Sequence, residues 1–152
     1  MIVNSNGEVV AVGRNQVEKS NDPTAHAEIQ CLRAAAKIEG TWRLYNYTLY
    51  TTLEPCPMCM GAIQQSRVKT LVYGAKDHRL GAAGSWVDMV YANKHPFHDS
   101  MQVEEGVLAE ESSSLLKRFF LIRRREDELD DALDASAQSD RGFSYKSVLD
   151  GE

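Results

Sequence analysis

The chain has 152 residues, a formal net charge of −5, 43% apolar residues and 26% charged ones. That length suits one domain with a single core, and the composition excludes a collagen, a wholly disordered chain and a disulfide-rich miniprotein. No apolar run approaches the roughly 20 residues of a membrane helix, so no membrane partner is expected, and no charged-then-apolar leader opens the chain. The charge is unevenly placed. Residues 1–125 carry 15 Lys+Arg against 13 Asp+Glu, whereas residues 126–152 carry 2 against 9. The body is mildly basic and the tail strongly acidic, so the total does not argue against a nucleic-acid partner. Cysteines number three, an odd count. Two of them, Cys56 and Cys59, form a tight pair, which points to a metal or redox role in a reducing compartment.

Met1 to Val12 reads as two short strands around the turn cluster Asn4-Ser5-Asn6-Gly7. Asp22-Pro23 is expected to open a helix, with Asp as N-cap and Pro in the first turn. That helix should run to about Ile38 and stop near Gly40, with Ile29, Cys31, Leu32 and Ala36 toward a core. Thr48 to Leu53 is rich in β-branched and aromatic residues and predicts a strand ended by Pro55. A short helix follows from about Pro57 to Ser66, then a strand from Val68 to Tyr73 closed by Gly74. The alternation predicts an α/β layered domain whose later strands pair in parallel. Asp77 to Ser85 reads as a loop made permissive by Gly81-Ala82-Ala83-Gly84-Ser85. Val87 to Gly106 carries no clear pattern. A final helix begins near Leu108 and ends in Arg123-Arg124-Arg125; residues 126–133 can prolong it, and the remainder reads as a solvated tail.

Chemistry concentrates in two short segments. Thr24-Ala25-His26-Ala27-Glu28 lies at a helix start, and Pro55-Cys56-Pro57-Met58-Cys59 at a strand-to-helix turn. Cysteines three apart reach one point from one helical turn. Zinc takes thiolate and imidazole ligands in tetrahedral geometry, and three protein ligands leave a position open for water, the mark of a catalytic site. His26 is the natural third ligand; His95 and His98 are alternatives in a less structured stretch. Glu28 lies two positions from His26, close enough to move protons at such a site without binding the metal. The set suits hydrolytic removal of an amino group from a heterocycle. Alone, the Cys-x-x-Cys pair would also fit a thioredoxin-like redox site. Cys31 could close a structural zinc site, although a small buried core residue is the simpler reading of it.

The pattern His-x-Glu followed by Pro-Cys-x-x-Cys is the signature of zinc-dependent nucleobase deaminases, and the mechanism enters here by that resemblance. Within this superfamily, residues 2–125 resemble the bacterial-type tRNA-specific adenosine deaminases. The likeness rests on His26-Ala27-Glu28, on Thr51 to Ile63, on Gly74-Ala75-Lys76-Asp77 with Gly81 to Ser85, and on Phe119-Phe120 followed by arginines. The resemblance implies a cytidine-deaminase-like three-layer α/β/α sandwich with a mixed sheet over residues 1–125. It also implies one zinc per subunit on His26, Cys56 and Cys59, with Glu28 as the proton shuttle. The implied reaction is conversion of the wobble adenosine of a tRNA anticodon to inosine. Asn15 and the backbone at Ala27 would orient the base. Asp77, Phe119, Phe120, Arg123 and Arg124 would grip the flanking nucleotides of the anticodon stem-loop, by stacking and phosphate contact. The plainer reading makes at least one of the two phenylalanines core and the arginines a helix C-terminus; Asp77 and Asn15 could simply shape turns. A homodimer is implied, in the cytoplasm if bacterial, or in a plastid or other organelle if a transit segment has been removed.

The family's first helix is absent ahead of Ile2, which predicts uncovered apolar sheet surface. Residues 126–152 have no family counterpart and are expected as an acidic, disordered tail. The runner-up function is a free-base or nucleoside deaminase acting on guanine or cytosine. A non-catalytic RNA-binding subunit ranks third, because Glu28 is present.

Overall fold

The computed structural model describes residues 1–91, 95, 96, 98 and 100–141, and side chains within the last helix as far as residue 135. Tight turn chemistry starts the fold. Strand β1 (Ile2–Val3) and β2 (Val9–Ala11) form an antiparallel hairpin. The Asn4 side-chain carbonyl accepts the N–H groups of Asn6 and Glu8, and Gly7 takes φ +81°. A single helical turn, α1 (Val17–Ser20), follows, and Asn21 closes it in the left-handed region.

Helix α2 (Ala27–Glu39) begins later than the sequence predicts. Asp22 does not cap it. Its carboxylate accepts the backbone N–H and the hydroxyl of Thr24, and these bonds hold it below the ordinary carboxylate value. The cap-like pair Asp22-Pro23 therefore builds a turn of its own, in which Ala25 N–H donates to Asp22 O. The far end matches expectation, with Gly40 at φ +66° closing the helix. Ile29, Cys31, Leu32 and Ala35 are its buried residues.

Strand β3 (Thr48–Leu53), helix α3 (Pro57–Gln65) and strand β4 (Thr70–Ala75) form a βαβ unit with parallel strands. Strand β5 (Gln102–Glu105), which the sequence does not announce, pairs parallel to β4. The sheet order is β2-β1-β3-β4-β5, antiparallel on one side of β3 and parallel on the other. This mixed sheet and its helices match the expected cytidine-deaminase-like fold. Ile2, Leu32, Leu49, Met60, Ile63, Leu71 and Tyr73 form the heart of one core shared by strands and both long helices of residues 1–113.

Helix α4 (Ala109–Arg141) extends beyond Leu133, and residues 114–152 form a second unit. Residues 126–141, expected in a tail, are helical, and their described side chains are exposed. Residues 142–152 lie outside the described residues. No described helix is long and apolar enough to cross a membrane.

Candidate active site

Two helix N-termini bring the chemistry together. His26 occupies the N-cap of α2 with extended backbone (φ −67°, ψ 155°), and Cys56 occupies the N-cap of α3 (φ −72°, ψ 169°). Pro57 opens α3, where its missing N–H costs nothing. Cys59 lies in the same first turn, fully buried. Its Sγ is 3.5 Å from His26 Nδ1, and Cys56 Sγ is 3.7 Å from the same atom. Among the described residues, His26, Cys56 and Cys59 form the one set of three or more His, Cys, Asp or Glu whose donor atoms gather within 4.8 Å.

The electrostatics of this cluster fit a cation. Burial first, then the Glu28 charge and Cys56, push the Cys59 thiol well above its ordinary value of 9.0. A divalent ion would compensate two sulfurs in partly buried surroundings, because a coordinating thiol ionises. Glu28 is half-buried in the first turn of α2, two residues after His26, and its charge is among the influences that raise the Cys59 thiol.

The other expected ligands are elsewhere. Cys31 is buried in the core, where its thiol donates to Ala11 O at 3.4 Å and burial raises its pKa. His95 lies against Arg67 and Gln65, and His98 against the Val68 carbonyl. Both serve the loop rather than the cluster.

Asn15 is exposed on the segment joining β2 to α1, and its side-chain oxygen accepts the Val17 N–H. Gln16 N–H donates to Ala25 O, which ties this segment to the residue before His26. Gly13 makes the approach possible. A Cβ there would lie 2.1 Å from the Ala27 carbonyl oxygen and 2.8 Å from Cys31 N. An open cleft of about 490 Å³ between Val12, Arg14, Gln30 and Ala34 adjoins the same segment without including the cluster.

Asp77 caps its own turn, accepting the N–H groups of Arg79 and Leu80. Its N–H donates to Glu54, a residue that sequence reasoning did not single out. Phe119 and Phe120 pack edge-to-face at 5.3 Å, and both are more than half exposed. The expectation that at least one is core is not met: the helix segment that carries them buries neither, and each finds its aromatic partner in the other. Arg123 is exposed and pairs weakly with Glu126 and Asp127 one turn on, and Arg124 is exposed beside it.

Comparison with known proteins agrees with this geometry. Residues 1–75 match the model of the cytidine and deoxycytidylate deaminase zinc-binding region. The chain is 44% identical to a tRNA-specific adenosine deaminase of Haemophilus influenzae, over 88% of this chain and 76% of that protein. It is 44% identical to the chloroplastic tRNA(adenine(34)) deaminase of Arabidopsis thaliana over 77% of this chain, and it spans 10% of that much longer relative. Among solved structures, one from a study of A-to-I editing by tRNA:A34 deaminases at the wobble position superposes with a TM-score of 0.67. The two are 37% identical, over 74% of this chain and 80% of the other.

Proposed function

This chain belongs to the tRNA-specific adenosine deaminase family, and from that premise we propose that it hydrolyses the wobble adenosine of a tRNA anticodon to inosine and ammonia. The observation that carries the reading is the His26–Cys56–Cys59 cluster, with Glu28 in the first turn of the helix that His26 opens. His26 Nδ1 and the sulfurs of Cys56 and Cys59 would hold zinc. When bound, zinc supplies an electrophilic centre that activates water near neutral pH. Glu28 accepts the proton of the attacking water and gives it to the adenine ring nitrogen. It then delivers a proton to the departing amino group, so one carboxyl serves both halves of the reaction. The first-turn N–H groups of α2, which have no intrahelical acceptor, and Asn15 orient the base. Asp77, Phe119, Phe120, Arg123 and Arg124 hold the splayed loop nucleotides.

The three free cysteines fit a reducing compartment, a bacterial cytoplasm or the plastid in which a relative works. A homodimer completes the proposal, and light scattering of the purified protein reads it directly.

The test is inosine formation in an anticodon stem-loop with adenosine at the wobble position. Free adenosine, guanine and cytosine run alongside, with Glu28→Ala as control. Inosine in the hairpin alone, lost in Glu28→Ala, is the expected result. Turnover of a free base alone would overturn the tRNA assignment while leaving the zinc chemistry standing.

A further inference from the structure

Among the described residues, Glu54 is the one buried carboxylate, and the mechanism above does not use it. It is 2% exposed and immediately precedes Pro55-Cys56. Its Oε2 accepts the Asp77 N–H at 3.0 Å, and its Oε1 accepts the N–H groups of Ala83 at 2.9 Å and Ser85 at 3.1 Å. Among the described residues it forms no salt bridge, so its compensation comes from backbone amides. Successive N–H groups converging on one anion form a nest, and here the anion is the protein's own.

The same contact is closed from two further sides. Ala82 N–H donates to Pro55 O at 2.8 Å, and Glu54 N–H donates to Ala75 O at 2.9 Å. A Cβ on Gly81 would lie 2.4 Å from Glu54 Cδ and 2.5 Å from Asp77 O. Gly81 thus has no side chain because the carboxylate occupies that space. Within the loop only Ala82 and Ala83 join the hydrophobic core, and His78, Arg79, Leu80 and Gly84 are exposed. Both ends of the loop, Asp77 and Ala83 with Ser85, are tied to one acceptor close to Cys56.

We infer that Glu54 is a positioning residue: its carboxylate fixes the 77–85 loop, with Asp77, in register with the metal-holding turn at Cys56. It touches neither metal nor base. It converts a loop into a fixed wall for the flanking nucleotides, and this substrate role rests on the function proposed above. A carboxylate suits the task because it only accepts hydrogen bonds. Glutamine has the same shape but turns an amide N–H₂ toward one set of backbone donors, which leaves buried N–H groups unsatisfied.

The experiment compares zinc-loaded wild type with Glu54→Gln. Amide hydrogen exchange is followed at Asp77, Ala83 and Ser85 and, as reference, across β4 at Leu71 to Tyr73. Zinc content and hairpin kinetics are measured on the same samples. The expected result is exchange faster by about tenfold or more at the three loop amides, unchanged exchange in β4, and one zinc per chain. KM rises about tenfold, and kcat stays within about threefold, the signature of lost uniform binding. Unchanged loop exchange overturns the inference. So does a fall in kcat at constant KM, which would place Glu54 at the reacting atoms. Loss of zinc or of β4 protection also overturns it, in favour of a general structural role. Gly81→Ala presses on the same carboxylate from the opposite side and must give the same exchange pattern, whether or not Glu54→Gln folds. Protected loop amides in Gly81→Ala would refute the register argument. A wild type silent on the hairpin would sink the proposed function alone, since the exchange experiment needs no substrate.

Discussion

Gly13→Ala is a sharp test of how the β2–α1 segment meets the site. The added Cβ would lie 2.1 Å from the Ala27 carbonyl oxygen, and also 2.8 Å from Cys31 N and 2.9 Å from Cys31 Cβ. Cβ contacts under 3.0 Å essentially do not occur, so the backbones must separate by about 0.9 Å. Two of the obstructing atoms are backbone, and the third is the side chain of a core residue, so no flexible group can swing away. Helix α2 is anchored by Ile29, Leu32 and Ala35, whereas Val12, Arg14 and Asn15 are exposed; the segment moves and the helix stays. Under the proposed function, Asn15 is carried away from the place where it would orient the base. A misplacement of roughly 1 Å costs about 100-fold in rate, which is about 2.7 kcal/mol of transition-state stabilisation. Steady-state inosine formation in the hairpin reads this directly, with zinc content and thermal midpoint as controls. The expected outcome is a kcat/KM near one hundredth of wild type at full zinc occupancy. A value within about threefold of wild type would refute the claim that this segment is held in place by the missing side chain.

Other outcomes follow from the same structure. Burial first, then the hydrogen bond that its hydroxyl donates to Glu105, raise the Tyr73 pKa above its ordinary value of 10.0. The unfolded chain ionises this tyrosine near 10 while the folded chain keeps it neutral, so its contribution to stability is present below pH 10 and is lost as pH rises beyond it. Absorbance titration at 295 nm should show a late step absent from Tyr73→Phe. Arg124→Ala should weaken hairpin binding while leaving kcat near wild type. The slope of log binding constant against log salt should flatten by about 0.7, the value for one single-strand phosphate contact; an unchanged slope assigns this exposed arginine to the helix end alone. Removing the metal with a chelator should abolish turnover and lower the thermal midpoint. With zinc at a thousand times its Kd the loss is about 4 kcal/mol, or roughly 10–20 °C for a unit of this size.

What was legible in the sequence was local. His26 and Glu28 are two apart, Cys56 and Cys59 three apart, and helix geometry alone nearly determines where such side chains point. The strand Thr48–Leu53 is likewise announced by its own β-branched and apolar residues; the one expected at Val68–Tyr73 forms instead at Thr70–Ala75 and runs through Gly74, which does not close it. Strand β5 is different. Gln102-Val103-Glu104-Glu105 has three polar residues in four and little burial. It is a strand because β4 offers it a parallel edge and Tyr73 holds Glu105, and neither fact resides within the four residues. Glu54 was hidden for the same reason. Its partners lie 23, 29 and 31 residues away, and all are backbone amides, which carry no residue signature. Helix α4 could have been read further, because residues 109–141 contain neither Gly nor Pro and Arg123 has acidic partners three and four positions on. Asp22-Pro23 misled because a good N-cap is also a good turn former.

The starts of α2 and α3 show how the site is made. A helix N-cap is normally filled by Ser, Thr, Asp or Asn, and replacing such a residue costs about 1 kcal/mol. Both long helices of the metal site begin instead on a residue with no side-chain capping bond, His26 in α2 and Cys56 in α3. The chain therefore gives up two caps to place two ligand atoms where helix N-termini favour a thiolate. The metal-free protein bears that deficit uncompensated. His26→Ser should then act in opposite directions in the two states. With zinc present it removes a ligand, so occupancy and turnover collapse. Without zinc it restores a cap, so the chelated variant should melt above chelated wild type, by about 1 kcal/mol or a few degrees. Side-by-side thermal denaturation with chelator decides the matter. A chelated His26→Ser protein that melts below chelated wild type would mean that the imidazole supports the fold by packing, and that the position is not surrendered for the metal.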